Sequence, residues 1–195
     1  MSMRKNTVIF WMPCSLFFLI VFSSIQNLTW ADEHAPIKTV PLVDLNRYLG
    51  KWYEIARFPN FFQKNCDKAI AQYSLGDNGE VDIVNICRKI SDGTLEEVHG
   101  IARVEDTKTY AKLSVTFLPP WLRWTGVGRG KYWVIDLEPE YQFAVVSEPN
   151  RKYLWILSRT AEMKKSVYDG ILSRLVEQGY DTTRLISSRD GNLVH

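Results

Sequence analysis

From Gly50 onward, apolar and polar residues alternate in short runs, the period-two pattern of half-buried strands. The runs are Gly50–Arg57, Ala69–Leu75, Val81–Arg88, Leu95–Val104, Tyr110–Phe117, Tyr132–Leu137, Gln142–Ser147 and Tyr153–Ser158. Turn-forming clusters such as Gly76-Asp77-Asn78-Gly79, Ser91-Asp92-Gly93 and Asp106-Thr107-Lys108 separate them. Short strands joined by mostly short connections predict antiparallel neighbours in an all-β sandwich or barrel. Over Thr160–Gly179 the period changes. Met163, Val167, Ile171, Leu172, Leu175 and Val176 recur every three or four residues with charged residues between them. That stripe predicts an amphipathic helix, with Ser158 or Thr160 near its start and Gly179 at its stop.

The N-terminus has a different character. Arg4 and Lys5 precede an almost uncharged apolar stretch, Thr7 to Phe22, followed by small and polar residues. This is the layout of a secretory signal over residues 1–31, with cleavage after Ser23 or after Ala31. An uncleaved anchor is the competing reading, though the apolar run is short for a span of about 20 residues. Cys14 lies inside the apolar core instead of behind it, so it is badly placed for lipidation. A single domain over residues 32–195 remains, with a barrel or sandwich over about 50–159 and a helix over about 160–178.

Composition changes this picture in two ways. The chain of 195 residues is 46% hydrophobic and 24% charged, a globular balance for one domain. Without Arg4 and Lys5, the 24 basic residues become 22, equal to the 22 acidic ones. An exported chain thus has no charge bias that would attract nucleic acid. Export also leaves two cysteines, Cys66 and Cys87, in a compartment that permits a disulfide; two free thiols are the alternative.

The segment Asn46-Arg47-Tyr48-Leu49-Gly50-Lys51-Trp52-Tyr53-Glu54-Ile55-Ala56-Arg57 resembles the Gly-x-Trp opening of the lipocalins, in particular the bacterial outer-membrane lipocalins and apolipoprotein D. A second block, Tyr153-Leu154-Trp155-Ile156-Leu157-Ser158-Arg159-Thr160, resembles the family's last barrel strand and its Arg. The resemblance extends from about Val43 to Ile186. It implies an eight-stranded antiparallel up-and-down β-barrel with a C-terminal α-helix packed outside. One departure lies in the turn Asp136-Leu137-Glu138-Pro139-Glu140-Tyr141, where the family often has Thr-Asp-x-x-Tyr, so the position of the acid is open.

In such a barrel the resemblance places Gly50, Trp52 and Arg159 in a structural plug at the closed end, the guanidinium stacked on the indole. Alternation from Trp52 then turns Glu54 and Ala56 inward and Tyr53 and Ile55 outward. Counting back from Arg159 turns Trp155 and Tyr153 inward. The family register adds Ala71, Tyr73, Ile83, Asn85, Gly100, Ala102, Leu113, Val115, Phe117, Tyr132 and Val134 as the ligand-binding wall. These residues form either a cavity or an ordinary filled core; Gly100 and the inward Ala residues favour a cavity. Glu54 would hold Asn85, Arg159 or a ligand head group. Phe58, Phe61, Phe62, Trp121 and Trp124 would ring the mouth, with Arg123, Arg129 and Lys131 beside them. Cys66 and Cys87 would lie on neighbouring strands at the same end, where a disulfide is geometrically reasonable.

The expectation is a non-catalytic carrier of a fatty acid or a phospholipid-like ligand such as a lysophospholipid, periplasmic or outer-membrane associated, or secreted outside Gram-negative cells. The aromatic rim suits a membrane-surface contact or a homodimer as well as a ligand. Haem or bilin is an alternative ligand, although no cofactor or metal is specified by any motif. An enzyme is the second class; no Gly-x-Ser-x-Gly, His-Glu-x-x-His or phosphate-binding Gly loop appears. A transmembrane barrel is the third, and its polar lumen does not match the apolar one inferred here.

Overall fold

In a computed structural model of the chain, the described residues are 35–76, 79–188 and 193–194. The expected signal sequence, with both cleavage positions, lies outside the described residues, as do Asp77 and Asn78 of the first turn. The strands are β1 (Gly50–Arg57), β2 (Cys66–Leu75), β3 (Val81–Lys89), β4 (Leu95–Val104), β5 (Lys112–Thr116), β6 (Gly130–Leu137), β7 (Phe143–Ser147) and β8 (Leu154–Ser158). Each pairs antiparallel with the next, and β8 returns to β1, Tyr53 opposite Ser158. Closure removes the free edges that an open sheet of this size would expose.

The barrel carries apolar residues on both faces. Inside, Trp52, Tyr73, Val81, Ile83, Ala102, Leu113, Val134, Ala144, Val146 and Leu157 form one cluster. Outside, Ile55, Ile135, Val145, Leu154 and Ile156 form another with α2 (Lys165–Glu177) laid across it. The alternation on β8 sends Leu154 and Ile156 outward and Trp155 and Leu157 inward, as the period-two pattern requires.

Three elements differ from the periodicity. The helix begins at Lys165, not near Ser158 or Thr160, because Met163–Lys164 (β9) is extended and pairs in parallel with Leu193–Val194 (β11). Its buried face is Tyr168, Ile171 and Leu175, whereas Val176 is 58% exposed. A further short helix, α1 (Leu45–Tyr48), precedes the barrel, capped by the Asp44 carboxylate accepting from the Asn46 and Arg47 amides. Finally, β10 (Ile186–Ser187) pairs with the upper end of β1, at Ala56 and Arg57, where β1 has already parted from β2.

Candidate functional site

The closed end is built around Trp52, which is fully buried. Its indole Nε1 donates to the Tyr48 carbonyl at 2.8 Å, and the Arg159 guanidinium lies 3.7 Å from its ring centroid. Arg159 also donates to the carbonyls of Lys51, Arg47 and Tyr141. Gly50 has φ of +93°, and the Arg159 guanidinium stands 3.5 Å from where a Cβ would be, so a side chain there would meet both backbone strain and the plug. The acid of the neighbouring turn is Glu138, whose carboxylate accepts from the Glu140 and Gln142 amides. Asp136 instead pairs with Arg174 on α2.

Just above the plug, three tyrosine hydroxyls meet. Tyr132 Oη lies 2.8 Å from Tyr48 Oη and 3.1 Å from Tyr73 Oη. Burial raises all three above the ordinary phenol range, Tyr73 to about 12. Leu45, Leu49, Val81, Ile83, Ala102, Leu113 and Val115 surround the tyrosines and leave a cavity of about 20 Å³, space for about one water. Tyr48 and α1 carry part of this lining and were not legible as wall residues, because the Leu45–Tyr48 turn lacks a helix-length pattern.

The upper half of the barrel contains a buried polar network. Glu54 faces inward as alternation predicts, but its partner is Arg57, with Nη1 donating to Oε1 at 2.6 Å. A bulge in the β1–β8 ladder between Glu54 and Ala56 explains the pairing. Ile55 is the extra residue, so Ala56 joins the outer cluster and Arg57 comes to Glu54's side. Ala56 is therefore not a wall residue of the interior. Phe58 follows the same shifted phase: it is 1% exposed, packed on Tyr180 in the outer cluster with Arg184 over its ring, and not at the mouth.

Gln63, from the loop between β1 and β2, enters this network. Its Nε2 donates to Glu54 Oε2 at 2.8 Å, and its Oε1 accepts from Trp155 Nε1 at 3.0 Å and from Asn60 Nδ2 at 2.8 Å. Arg57 holds the same loop by donating to the Gln63 and Cys66 carbonyls. Phe62 adds ring contacts to Tyr153 and Trp155, centroids 5.5 and 6.3 Å away. The loop is thus seated on the barrel by named side chains. Gln63 carried no sequence signal, since one amide in a loop has no periodicity to betray its target.

The remaining wall residues divide by position. Register places Ala71, Asn85 and Val98 abreast on neighbouring strands. Asn85 does not meet Glu54, whose carboxylate oxygens go to Arg57 and Gln63. Gly100 offers no open space: a Cβ there would stand 2.6 Å from the Phe117 ring, which occupies the room. Phe117 itself is 41% exposed, past the end of β5, and so belongs to the rim. At the rim Phe61, Phe62, Trp121 and Trp124 are exposed, the last two on a 3₁₀ turn over Pro120–Thr125. The flanking cations are partly engaged, Arg123 with the Leu118 carbonyl, Arg129 with the Arg123 carbonyl and Lys131 with Glu105. A second cavity of about 350 Å³ opens here between Phe61, Phe62, Lys64, Asn65 and Lys89, beside the Cys66–Cys87 disulfide. The pair is bonded, with Cα atoms 5.5 Å apart on β2 and β3.

A closed eight-stranded barrel with a Trp–Arg plug and an outer C-terminal helix has clear relatives. Residues 43–190 match the sequence profile of the Lipocalin-like domain. The chain belongs to the lipocalin family. It is 40% identical to temperature-induced lipocalin-1 of Arabidopsis thaliana over 78% of this chain and 82% of the relative. It is 35% identical to the outer membrane lipoprotein Blc of Vibrio cholerae, over 87% of this chain and 95% of that protein. Among solved structures, insecticyanin from the tobacco hornworm Manduca sexta superposes with a TM-score of 0.61 at 23% identity, covering 80% of this chain and 85% of that one. At that identity the likeness speaks for the lipocalin fold alone.

Proposed function

We propose that this lipocalin is an exported, non-catalytic carrier of a single-chain lipid, a fatty acid or lysophospholipid, handled in the cell envelope. The observation that carries the reading is the apolar inner lining closed below by the plug and covered above by a loop whose Gln63 and Phe62 side chains rest on the inner wall. An acyl chain would pass beneath the Phe62 rim and extend toward the tyrosines, its polar end displacing Gln63 in the upper barrel; a phosphate would stay outside near Lys64 and Lys89. The cavity beside the tyrosines holds about 20 Å³, too little for an acyl chain, so a chain that reaches it requires the lining side chains to move. The disulfide is consistent with export, as is the relation to an outer membrane lipoprotein. Export further rests on the proposed signal over residues 1–31, which would be cleaved to release the domain over 32–195.

Burial of an acyl chain contributes about 0.8 kcal/mol per CH2, so affinity should rise stepwise with chain length. Titration of lysophospholipids of graded acyl length against tryptophan fluorescence tests this, with Trp155 as reporter. Affinity that ignores chain length overturns the reading. Stoichiometric haem or bilin in native mass spectra would replace the lipid by another hydrophobic ligand, and turnover of a bound ester would replace the carrier by an enzyme.

A membrane-surface contact is a second part of the proposal, favoured by Trp121 and Trp124 at 71% and 82% exposure on one turn with Arg123 and Arg129 nearby. Co-sedimentation with anionic vesicles should fall when Trp124 is replaced by Ala. Unchanged co-sedimentation, with a concentration-dependent dimer in sedimentation velocity, would assign the rim to a homodimer instead.

A further inference from the structure

The Gln63 carboxamide joins the loop to the polar side chains of the upper barrel. It accepts from the Trp155 and Asn60 side chains and donates to the Glu54 carboxylate, all within 3.0 Å. An uncharged group that both accepts and donates therefore fills this place in the closed protein. The charge count around it is balanced, because Glu54 and Arg57 form a pair whose side chains are only 4% and 5% exposed. Arg57 spends its terminal nitrogens on Glu54 and on the carbonyls of Gln63 in the loop and Cys66 at the start of β2, and its Nε has no acceptor among the described residues. The network thus holds a buried donor without an acceptor among the described residues as well as the Trp155 N–H that Gln63 now takes.

We propose that this network is a head-group site that selects an uncharged lipid head with an acceptor oxygen and a donor, an amide or a hydroxyl-bearing ester, over a free carboxylate, and that Gln63 is its resident stand-in. An amide or glycerol head exchanges with Gln63 one for one, oxygen to Trp155 Nε1 and N–H or O–H to Glu54, and the glycerol head has further oxygens that could reach Arg57 Nε. A carboxylate has no proton for Glu54. It would also place a second anion beside Glu54 with one guanidinium to serve both, leaving a net buried charge. This inference rests on the carrier reading and narrows it, ranking an ester- or amide-linked head above the free fatty acid.

The test compares palmitate, palmitamide and monopalmitoylglycerol, which share one acyl chain, by calorimetric titration of the mature disulfide-bonded protein at a pH where palmitate is ionised. Palmitamide and monopalmitoylglycerol should bind at least about tenfold more tightly than palmitate, the scale expected when one polar head fits buried partners and another does not. In Glu54→Gln, palmitate should gain and the ratio should shrink. Gln63→Ala, which removes the internal competitor but no charge, should tighten palmitamide severalfold and keep the discrimination. Equal or tighter palmitate binding to the wild-type protein overturns the head-group inference while leaving the carrier reading intact. Preserved discrimination in a folded Glu54→Gln variant overturns the role of Glu54. Absence of binding by all three overturns both.

Discussion

At the scale of single residues, Arg57 and Glu54 depend on each other more than on any fold-level pattern. Removing the cation by Arg57→Ala leaves a buried carboxylate with Gln63 as its side-chain partner among the described residues, and breaking such a pair costs about 3–5 kcal/mol. Urea denaturation should report a loss of that size, whereas Lys51→Ala, at an exposed strand position, should stay within about 0.5 kcal/mol of the wild type. The tyrosine cluster makes a pH prediction. Tyr48, Tyr73 and Tyr132 are held above the ordinary phenol value by burial, Tyr73 at about 12. From about pH 10 upward, the unfolded chain releases tyrosine protons that the folded chain keeps. Stability is therefore full below about pH 10 and falls as pH rises toward 12. Near-ultraviolet dichroism and tyrosinate absorbance should change together in that window, because the cluster ionises only as the barrel opens. Ionisation of all tyrosines with the dichroism intact would contradict the cluster.

At the scale of elements, the outer helix and the disulfide are the informative parts. Ile171 is fully buried on α2 and Val176 is mostly exposed, although both belong to the apolar stripe read from the sequence. Ile171→Ala should cost about 2–5 kcal/mol and Val176→Ala less than about 0.5 kcal/mol, read from thermal unfolding. Equal costs would mean that the helix is rotated on the barrel. The Cys66–Cys87 bond closes a loop with a sequence separation of 21, for which chain entropy predicts about 3 kcal/mol. Cys66→Ser with Cys87→Ser should lower stability by about that amount without changing strand content in far-ultraviolet dichroism. Between the strands, Gly100→Ala should destabilise by about 1–3 kcal/mol, since its Cβ would meet the Phe117 ring and the Thr116 carbonyl. Pairing it with Phe117→Ala should recover only part of this, because the carbonyl stays.

At the scale of the whole molecule, one closed sheet separates two apolar clusters, and β1, β6, β7 and β8 contribute to both. Neither cluster can lose its strands without disturbing the other, so the plug, the inner wall and the outer helix should unfold in one transition. Tryptophan fluorescence, to which buried Trp52 contributes, and far-ultraviolet dichroism should trace the same curve in urea. A helix that melts first would show two curves.

The sequence by itself determined the eight strands and the amphipathic helix, because a period of two or of about 3.6 is a local property and turn residues act through their own backbone; the choice of a closed up-and-down barrel over a sandwich came from the family resemblance. It also carried the plug, since Gly50, Trp52 and Arg159 lie in two blocks whose spacing is characteristic of a family. Tertiary structure alone decided the phase of β1 beyond Ile55. Alternation assumes one residue per step, and a bulge against β8 moved Ala56 and Phe58 outward and brought Arg57 to Glu54. The same holds for Gln63 and Tyr48. Each reaches its partner from a loop or a single helical turn, where the contacts that fix a side chain come from distant strands and leave no periodic trace in the chain itself. The Phe117 ring over Gly100 is a further case: residue types marked where space was available between β4 and β5, and packing decided what filled it.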